Sequence, residues 1–404
     1  MIIKMAFRNI FRQKRRTILT AMSMIGGFAM AAIFIGWADG SYGNIIDNFT
    51  RYHTGHIQVH EATYLDRPSL YKTVNDFARI EGKLKQIDML DSWAPRVYSA
   101  GLVSVREKST GARIIGIDPT AENRTTAFAK KVTEGVMLDS DASGQVLIGK
   151  GMAKLLKAQV GDDIVIVSQG ADGSIANDSY KIVGLVDSGD EMADRMAFYL
   201  HIDDARELLV LGDRIHEIAI TVHDLDDVAA ATSQVQIALN DETLTAEPWQ
   251  VFAHSFYIAM KADMEGMWIS LFIIVLIVAV GVLNTVLMSV LERTREYGVL
   301  KAMGTQPSQI VNLILTEVNI LAFVSIIVGI GLGLLANYHL SHTGITLAEP
   351  LSYGGMEFKV MKAEINLRSF VIPALTIFLS ATFVGLFPAL KAAHTDPARS
   401  MRTH

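Results

Sequence analysis

The 404-residue chain is 50% hydrophobic, with a mean hydropathy of +0.30. Its 19% of charged residues falls below the roughly 25% of a soluble domain. The net charge is −6, and the excess of acid falls in the long segment 39–266, which argues against nucleic acid as a partner of that segment, since phosphate binding needs a basic surface. The absence of cysteine excludes a disulfide-stapled fold and leaves the compartment open.

The chain opens on IIKMAFRNIFRQKRR, residues 2–16. Ile3, Phe7, Ile10 and Phe11 share one helical face, and basic residues largely occupy the rest. That pattern predicts an amphipathic helix lying on a membrane surface. Four windows then carry no charge at all: 17–38, 266–291, 318–348 and 369–390. Each is long enough for a ~30 Å hydrocarbon core, which takes about 20 residues. The expected spans are 17–38, 267–291, 313–335 and 369–390. RRTIL (Arg15 to Leu19) hints at a twin-arginine signal, but the apolar run is too long for a signal peptide and no clean cleavage site follows. A retained helix is expected.

Basic residues set the orientation. Residues 1–16, the segment 292–312 and the tail 391–404, with Lys391, Arg399 and Arg402, alternate so as to lie together inside the cell. Residues 39–266 then lie outside. That segment holds 21 Lys and Arg against 35 Asp and Glu, a net −14. Its pattern alternates strands and helices: a strand at 55–60, a helix at 73–87, strands at 95–105 and 112–117, and later a strand at 216–222, a helix at 225–239 and a strand at 243–249. Between these lies a strand-rich segment, 132–214. The expected fold is therefore four transmembrane helices plus a large extracytoplasmic α/β domain, with outer parts 39–131 and 215–266 and a nested subdomain at 132–214. SQGADGSIANDS (168–179) reads as a hairpin tip. Gly170, Asp172 and Gly173 would form either a partner-contact loop or an ordinary solvated turn. Residues 336–368 form a short second outer loop.

GQVLIGKG (144–151) comes within one residue of a phosphate-binding loop. Gly151 stands where Ser or Thr would hold magnesium, and QVLI in the middle is β-forming. The stretch is expected to be a strand, a turn at Gly149 and a helix over 150–158, not a nucleotide site. His53, His56 and His60 do not converge on one face of a strand and are read as surface or loop histidines, with no metal site. No catalytic motif stands out, so the chain is expected not to be an enzyme. Glu317 lies about one turn inside the third span. Its expected role is structural pairing with a basic group at the membrane surface, with a direct coupling role as the alternative.

NTVLMSVLERTREYGVLKAMGTQPSQI, Asn284 to Ile310, carries the strongest signal. It resembles the junction between the second and third spans of the FtsX/MacB/LolC–LolE family of ABC transporter permeases, with Asn284, Met288, Ser289, Val290, Glu292, Arg293, Arg295, Glu296, Gly298, Leu300, Ala302 and Gly304 at the patterned positions. RNIFRQKRRTILT (Arg8 to Thr20) resembles the family's entry helix, with Arg8, Asn9, Arg15 and Arg16. PALKAAHTDPARSMR (Pro388 to Arg402) resembles its exit, and the segment from Gly144 onward its inserted outer subdomain.

The resemblance implies a multi-pass protein of the bacterial inner membrane, with cytoplasmic termini and a periplasmic domain. It implies an ATPase subunit in trans that binds ATP and magnesium, so that this chain holds no cofactor. It also implies a second permease subunit, as a homo- or heterodimer, contact with membrane lipids, and a mechanical transmission in which Glu292, Arg293, Arg295, Glu296, Gly298, Leu300, Ala302 and Gly304 couple to the motor. The layout favours release or extrusion of lipoprotein or other lipidated or amphipathic cargo. MacB-like extrusion of peptides or small molecules with a periplasmic adaptor is one alternative, and FtsX-like signalling to a cell-wall hydrolase another. The hairpin at 168–179 is short for a hook that hands cargo to a periplasmic chaperone.

Overall fold

The computed structural model describes residues 2–12, 14–353 and 356–394. It divides into two compact units. One is built from residues up to Gly43, Lys261–Ala348 and Val360 onward; the other from Asn44–Met260 and Glu349–Lys359.

The first unit holds helices. An entry helix, Ile2–Arg12, precedes four helices long and apolar enough to cross a membrane: the first span within Lys14–Phe49, the second within His254–Glu292, the third within Pro307–Thr343 and the fourth within Arg368–Ala393. These helices outrun the charge-free windows, because exposed ends carry charges without losing helix propensity. Helices in lipid lack a hydrophobic drive toward each other, so close packing and polar contacts hold them. A Cβ on Gly329 would sit 2.8 Å from Phe28. Asn337 Nδ2 donates to the Ala32 carbonyl at 3.0 Å, joining the third span to the first. Thr382 Oγ1 donates to Asn319 Oδ1 at 2.7 Å, joining the fourth to the third.

The second unit is built on a ten-stranded sheet: β1 (Ile57–Glu61), β2 (Leu90–Val105), β3 (Lys108–Ile117), β4 (Val132–Gly135), β5 (Gln145–Gly149), β6 (Asp163–Gln169), β7 (Ile175–Val186), β8 (Ala197–His201), β9 (Glu217–Val222) and β10 (Leu244–Pro248). One edge of the long β2 is shared. Its first half pairs β9 and its second half pairs β6, while β3 takes the other edge. Since β6 also pairs β7, the path β2-β3-β8-β5-β7-β6 returns to β2 as a closed ring of strands. The inserted segment 132–214 thus shares strands with its host. Closure removes unpaired edges, and alternation sends Ile114, Ile166, Tyr180, Ile182 and Phe198 into the interior, where all are buried.

Local outcomes differ from expectation at three places. The helix expected over 73–87 is confined to Phe77–Leu84, with Asp76 capping it, because Val74 forms a β-bridge to Ile215. The hairpin tip shrinks to 170–174, since β7 begins at Ile175; Gly170 is buried, while Asp172 and Gly173 are exposed, and Asp172 accepts from the Ser174 amide and hydroxyl within the same turn. His56 and His60 are fully buried in this unit, not at the surface. His56 Nδ1 accepts the Val222 amide at 3.0 Å. Among the described residues no group of three or more His, Cys, Asp or Glu could hold a metal.

GQVLIGKG forms β5 and the first turn of the helix Lys150–Leu156. Gly149 sits where a Cβ would lie 2.1 Å from the Asp194 carbonyl oxygen, so close approach of two backbones requires glycine. Lys150 forms a part-exposed pair with Asp187 at 3.2 Å.

The second unit also buries charge. Arg96 on β2 makes a two-point contact with Glu122 (3.0 and 2.7 Å) and reaches Glu217 on β9 at 3.1 Å. Burial alone would raise the Glu122 carboxyl, but the Arg96 guanidinium prevails and holds it below the usual range. Lys131 donates to the Tyr52 carbonyl, and burial lowers its pKa to about 8 against the pull of Glu122. Burial, then the Glu217 charge, pushes the Tyr98 phenol up to about 12.

Two outcomes are expected. Gly149→Ala should destabilise the second unit by about 1–3 kcal/mol through overpacking, while Lys150→Ala should change it by less than about 1 kcal/mol; thermal unfolding of the reconstituted chain decides. Between pH 8 and 10 the unfolded chain holds a Lys131 proton that the folded chain has shed, so stability should rise with pH. Above pH 10 the folded Tyr98 keeps a proton that the unfolded chain loses, so stability should fall. Lys131→Met should abolish the rise in a pH series of the same measurement.

Candidate functional site

The site lies in the helical unit, around a short helix, Thr294–Ala302, between the second and third spans. Its ends are defined by backbone chemistry. At its C-terminus the Gly304 amide reaches the Lys301 carbonyl and the Thr305 amide the Leu300 carbonyl, each at 3.0 Å. This paired closure needs a left-handed residue after the cap, and Gly304 has φ +95°. The third span starts at once, with Pro307 in its first turn and a reciprocal Gln306–Gln309 capping box.

Charges tie this helix to its neighbours. Arg293, at its N-cap, reaches both oxygens of Glu317 (3.3 and 3.2 Å) and Glu296 Oε2 at 3.0 Å. Its side chain is 11% exposed and that of Glu317 15%, so the pair is largely withdrawn from water. Asn9 Nδ2 of the entry helix donates to Glu317 Oε1 at 2.6 Å. Arg16 of the first span pairs with Glu292 at 2.9 Å. Arg12 pairs with Glu296 at 3.1 Å with its side chain 70% exposed, a contact worth little. Lys301 Nζ donates to the Ala393 carbonyl at 2.8 Å, placing a cation on the last turn of the fourth span, where the helix dipole favours it. Tyr297 is buried with Ile310, Ile314, Ala389 and Ala392, and Leu300 packs against that cluster.

The short helix and its N-cap are thus fastened to the entry helix and to the third and fourth spans, while Arg16 ties the first span to the end of the second. What it leaves outward is one face. Arg295, Val299, Ala302 and Met303 are exposed, Val299 by 45% and Met303 by 72%, and their i, i+4, i+7, i+8 spacing puts them on one stripe. Among the described residues Arg295 has no ion pair.

Of the residues singled out from sequence, Glu292, Arg293, Glu296, Asn9, Arg16 and Glu317 meet in this cluster. Gly298 is buried, Leu300 half-buried, and Ala302 and Gly304 exposed. Arg8 and Arg15 are exposed. Arg399 and Arg402 lie outside the described residues. Glu292, Arg293 and Glu296 all form ion pairs within the chain: Arg293 is largely withdrawn from water, while the Glu292 and Glu296 side chains stay 46% and 40% exposed. Val299, Met303 and Lys301 were missed. The signal for the first two was present, as apolar residues four apart in a polar segment; nothing local pointed Lys301 at the end of a helix 92 residues away.

Removing one partner of a buried pair costs about 3–5 kcal/mol because the other charge is stranded. Glu317→Ala should lower the unfolding midpoint of the reconstituted chain accordingly, and Glu317→Gln, which keeps the hydrogen-bonding oxygen for Arg293, should lower it less. Equal midpoints for Glu317→Ala and the parent would remove the pair from the helix's support.

Comparison with known proteins agrees with this architecture. The model described as MacB-like periplasmic core domain matches residues 17–238, and the one described as FtsX-like permease C-terminal matches residues 268–397. The chain is 21% identical to the lipoprotein-releasing system transmembrane protein LolC of Neisseria meningitidis over 76% of its own length and 77% of that protein. It is 23% identical to an uncharacterized ABC transporter permease of Methanocaldococcus jannaschii over 99% of this chain and 97% of the relative. It is 23% identical to the macrolide export ATP-binding/permease protein MacB of Campylobacter jejuni over 98% of this chain, which spans 60% of that protein. With four apolar helices and an extracytoplasmic core domain between the first and second of them, the chain belongs to the ABC transporter permeases of the LolC, MacB and FtsX type.

Proposed function

We propose that this permease takes mechanical force from a separate ATPase subunit, which binds ATP and magnesium, and uses it to move its periplasmic unit. The cargo is lipoprotein or another lipidated or amphipathic molecule leaving the bacterial inner membrane. The observation that carries the reading is the short helix Thr294–Ala302: braced by ion pairs and hydrogen bonds to the helices around it, it exposes the stripe Arg295, Val299, Ala302 and Met303. A rigid lever needs internal bracing, and a motor contact needs an exposed apolar and charged patch. Both properties meet between Glu292 and Met303. A second permease subunit completes the transporter, and the termini lie on the motor's side. LolC's name supports the lipoprotein cargo. MacB-like extrusion through a periplasmic adaptor draws support from a match along 98% of the chain.

In a reconstituted complex with its ATPase, Arg295→Glu combined with Val299→Asp should reduce cargo release about tenfold or more while leaving the unfolding midpoint unchanged, since neither side chain is buried. Arg293→Glu is a poorer probe, because it also strands Glu317. Normal release in the double variant, or a purified native complex without an ATP-hydrolysing partner, would sink the proposal.

A further inference from the structure

The periplasmic unit contains a cavity of about 1190 Å³, above the roughly 300–1,000 Å³ of most ligand sites. Its floor is the outward face of the β9-β2-β3-β8 part of the sheet. The register explains which side chains line it. Arg96 lies opposite Glu217 and Ile117, Tyr98 opposite Ile115, Ile115 opposite Tyr199, and Arg113 opposite Ala100 and Ala197. The residues between them, such as Val97, Ile114 and Phe198, point the other way and are fully buried. The walls are the segment Tyr64–Leu70 and the aromatic side chains Phe49, Phe252 and Phe256. Tyr64 is held between the rings of His60 and His216, at 5.9 and 6.0 Å. Phe49 stacks on Phe256 at 3.9 Å.

The cations facing this cavity are not equivalent. Arg96 is saturated by Glu122, Glu217 and the His53 carbonyl. Lys131 is bonded to Tyr52. Arg113 is different: it is exposed, its guanidinium lies 4.8 Å from the centre of the Tyr98 ring, and among the described residues no carboxylate pairs with it. The Tyr98 ring fixes the guanidinium plane, leaving its N–H groups for an incoming anion. Beside it, Ile115, Tyr199 and Leu65 are only half-buried and present apolar surface within the cavity.

We propose that this cavity binds a single-chain amphiphile, with its anionic head, carboxylate or phosphate, on Arg113 and its apolar tail along Ile115, Tyr199 and the Phe49–Phe256 wall. An anion there replaces water around the guanidinium with a charge-assisted, two-point contact, and the tail removes apolar wall from water. The proposal rests on the transport reading only for the ligand's role, not for its binding.

The test uses the full chain in lipid nanodiscs without ATPase and a photoreactive diazirine dodecanoate, with labelled peptides mapped by mass spectrometry. Labelling should saturate, fall on 64–70, β2 and β3, and be competed by dodecanoate or dodecyl phosphate but at least tenfold less well by dodecanol. The stronger of the two anionic competitors identifies the head group. Arg113→Gln should weaken binding about tenfold, the loss expected for a charged hydrogen bond, and Arg113→Lys should restore part of it. Labelling confined to the four spans, equal competition by dodecanol, or unchanged binding in Arg113→Gln would overturn the proposal. Because binding is read alone, failure of ATP-coupled release leaves this result intact, and the converse holds.

Discussion

A carboxylate inside an apolar helix must be answered, and the helical unit is organised around that requirement. Glu317 sits in the third span, where an unpaired charge is costly. Arg293 supplies the counter-charge and Asn9 a further hydrogen bond. To bring Arg293 to Glu317 the chain bends as it leaves the second span, and that bend sets the start of Thr294–Ala302. The left-handed Gly304 and the Gln306 cap set its end. With both ends fixed, Tyr297 and Leu300 face the helix cluster, and Arg295, Val299 and Met303 face outward. A connector between two spans thereby becomes a short helix with a fixed orientation.

The second unit solves a comparable problem with different means. Arg96 is buried on β2 and holds two carboxylates from elements far apart in sequence, Glu122 and Glu217. Such a network stabilises only when every donor is satisfied, and here the His53 carbonyl, Tyr98 and Thr126 complete it. On the other half of β2, pairing with β6 closes the strand ring. One strand thus carries both the charged network and the closure, and the same face that holds Arg96 also carries Arg113 into the cavity.

Much of this was legible in the residues. Charge-free windows mark the spans because the bilayer interior tolerates little else. GQVLIGKG could be read as strand, turn and helix because QVLI is β-forming and Gly151 lacks a hydroxyl. The errors share a cause. Residues 73–87 have helical periodicity, yet Val74 is drawn into a bridge by Ile215. His56 and His60 look like surface residues in a polar stretch, yet β9 and β10 flank their strand and bury them. Arg293 lies in a charged turn, yet Glu317 on the third span draws it largely out of water. In each case a distant segment outweighed local preference.

The sequence by itself determined where the four apolar spans lie and that a charged turn with Gly304 joins the second and third. These follow from the transfer free energy of side chains and from backbone conformations only glycine adopts readily. Tertiary structure alone decided which charges of that turn are internal and which side chains remain outward. It also decided that β2 and β3 close a ring with the inserted strands, and that among the described residues no acid pairs with Arg113. Those outcomes depend on pairings between residues tens to hundreds of positions apart, and their energies are defined only once the partners have been brought within hydrogen-bonding reach.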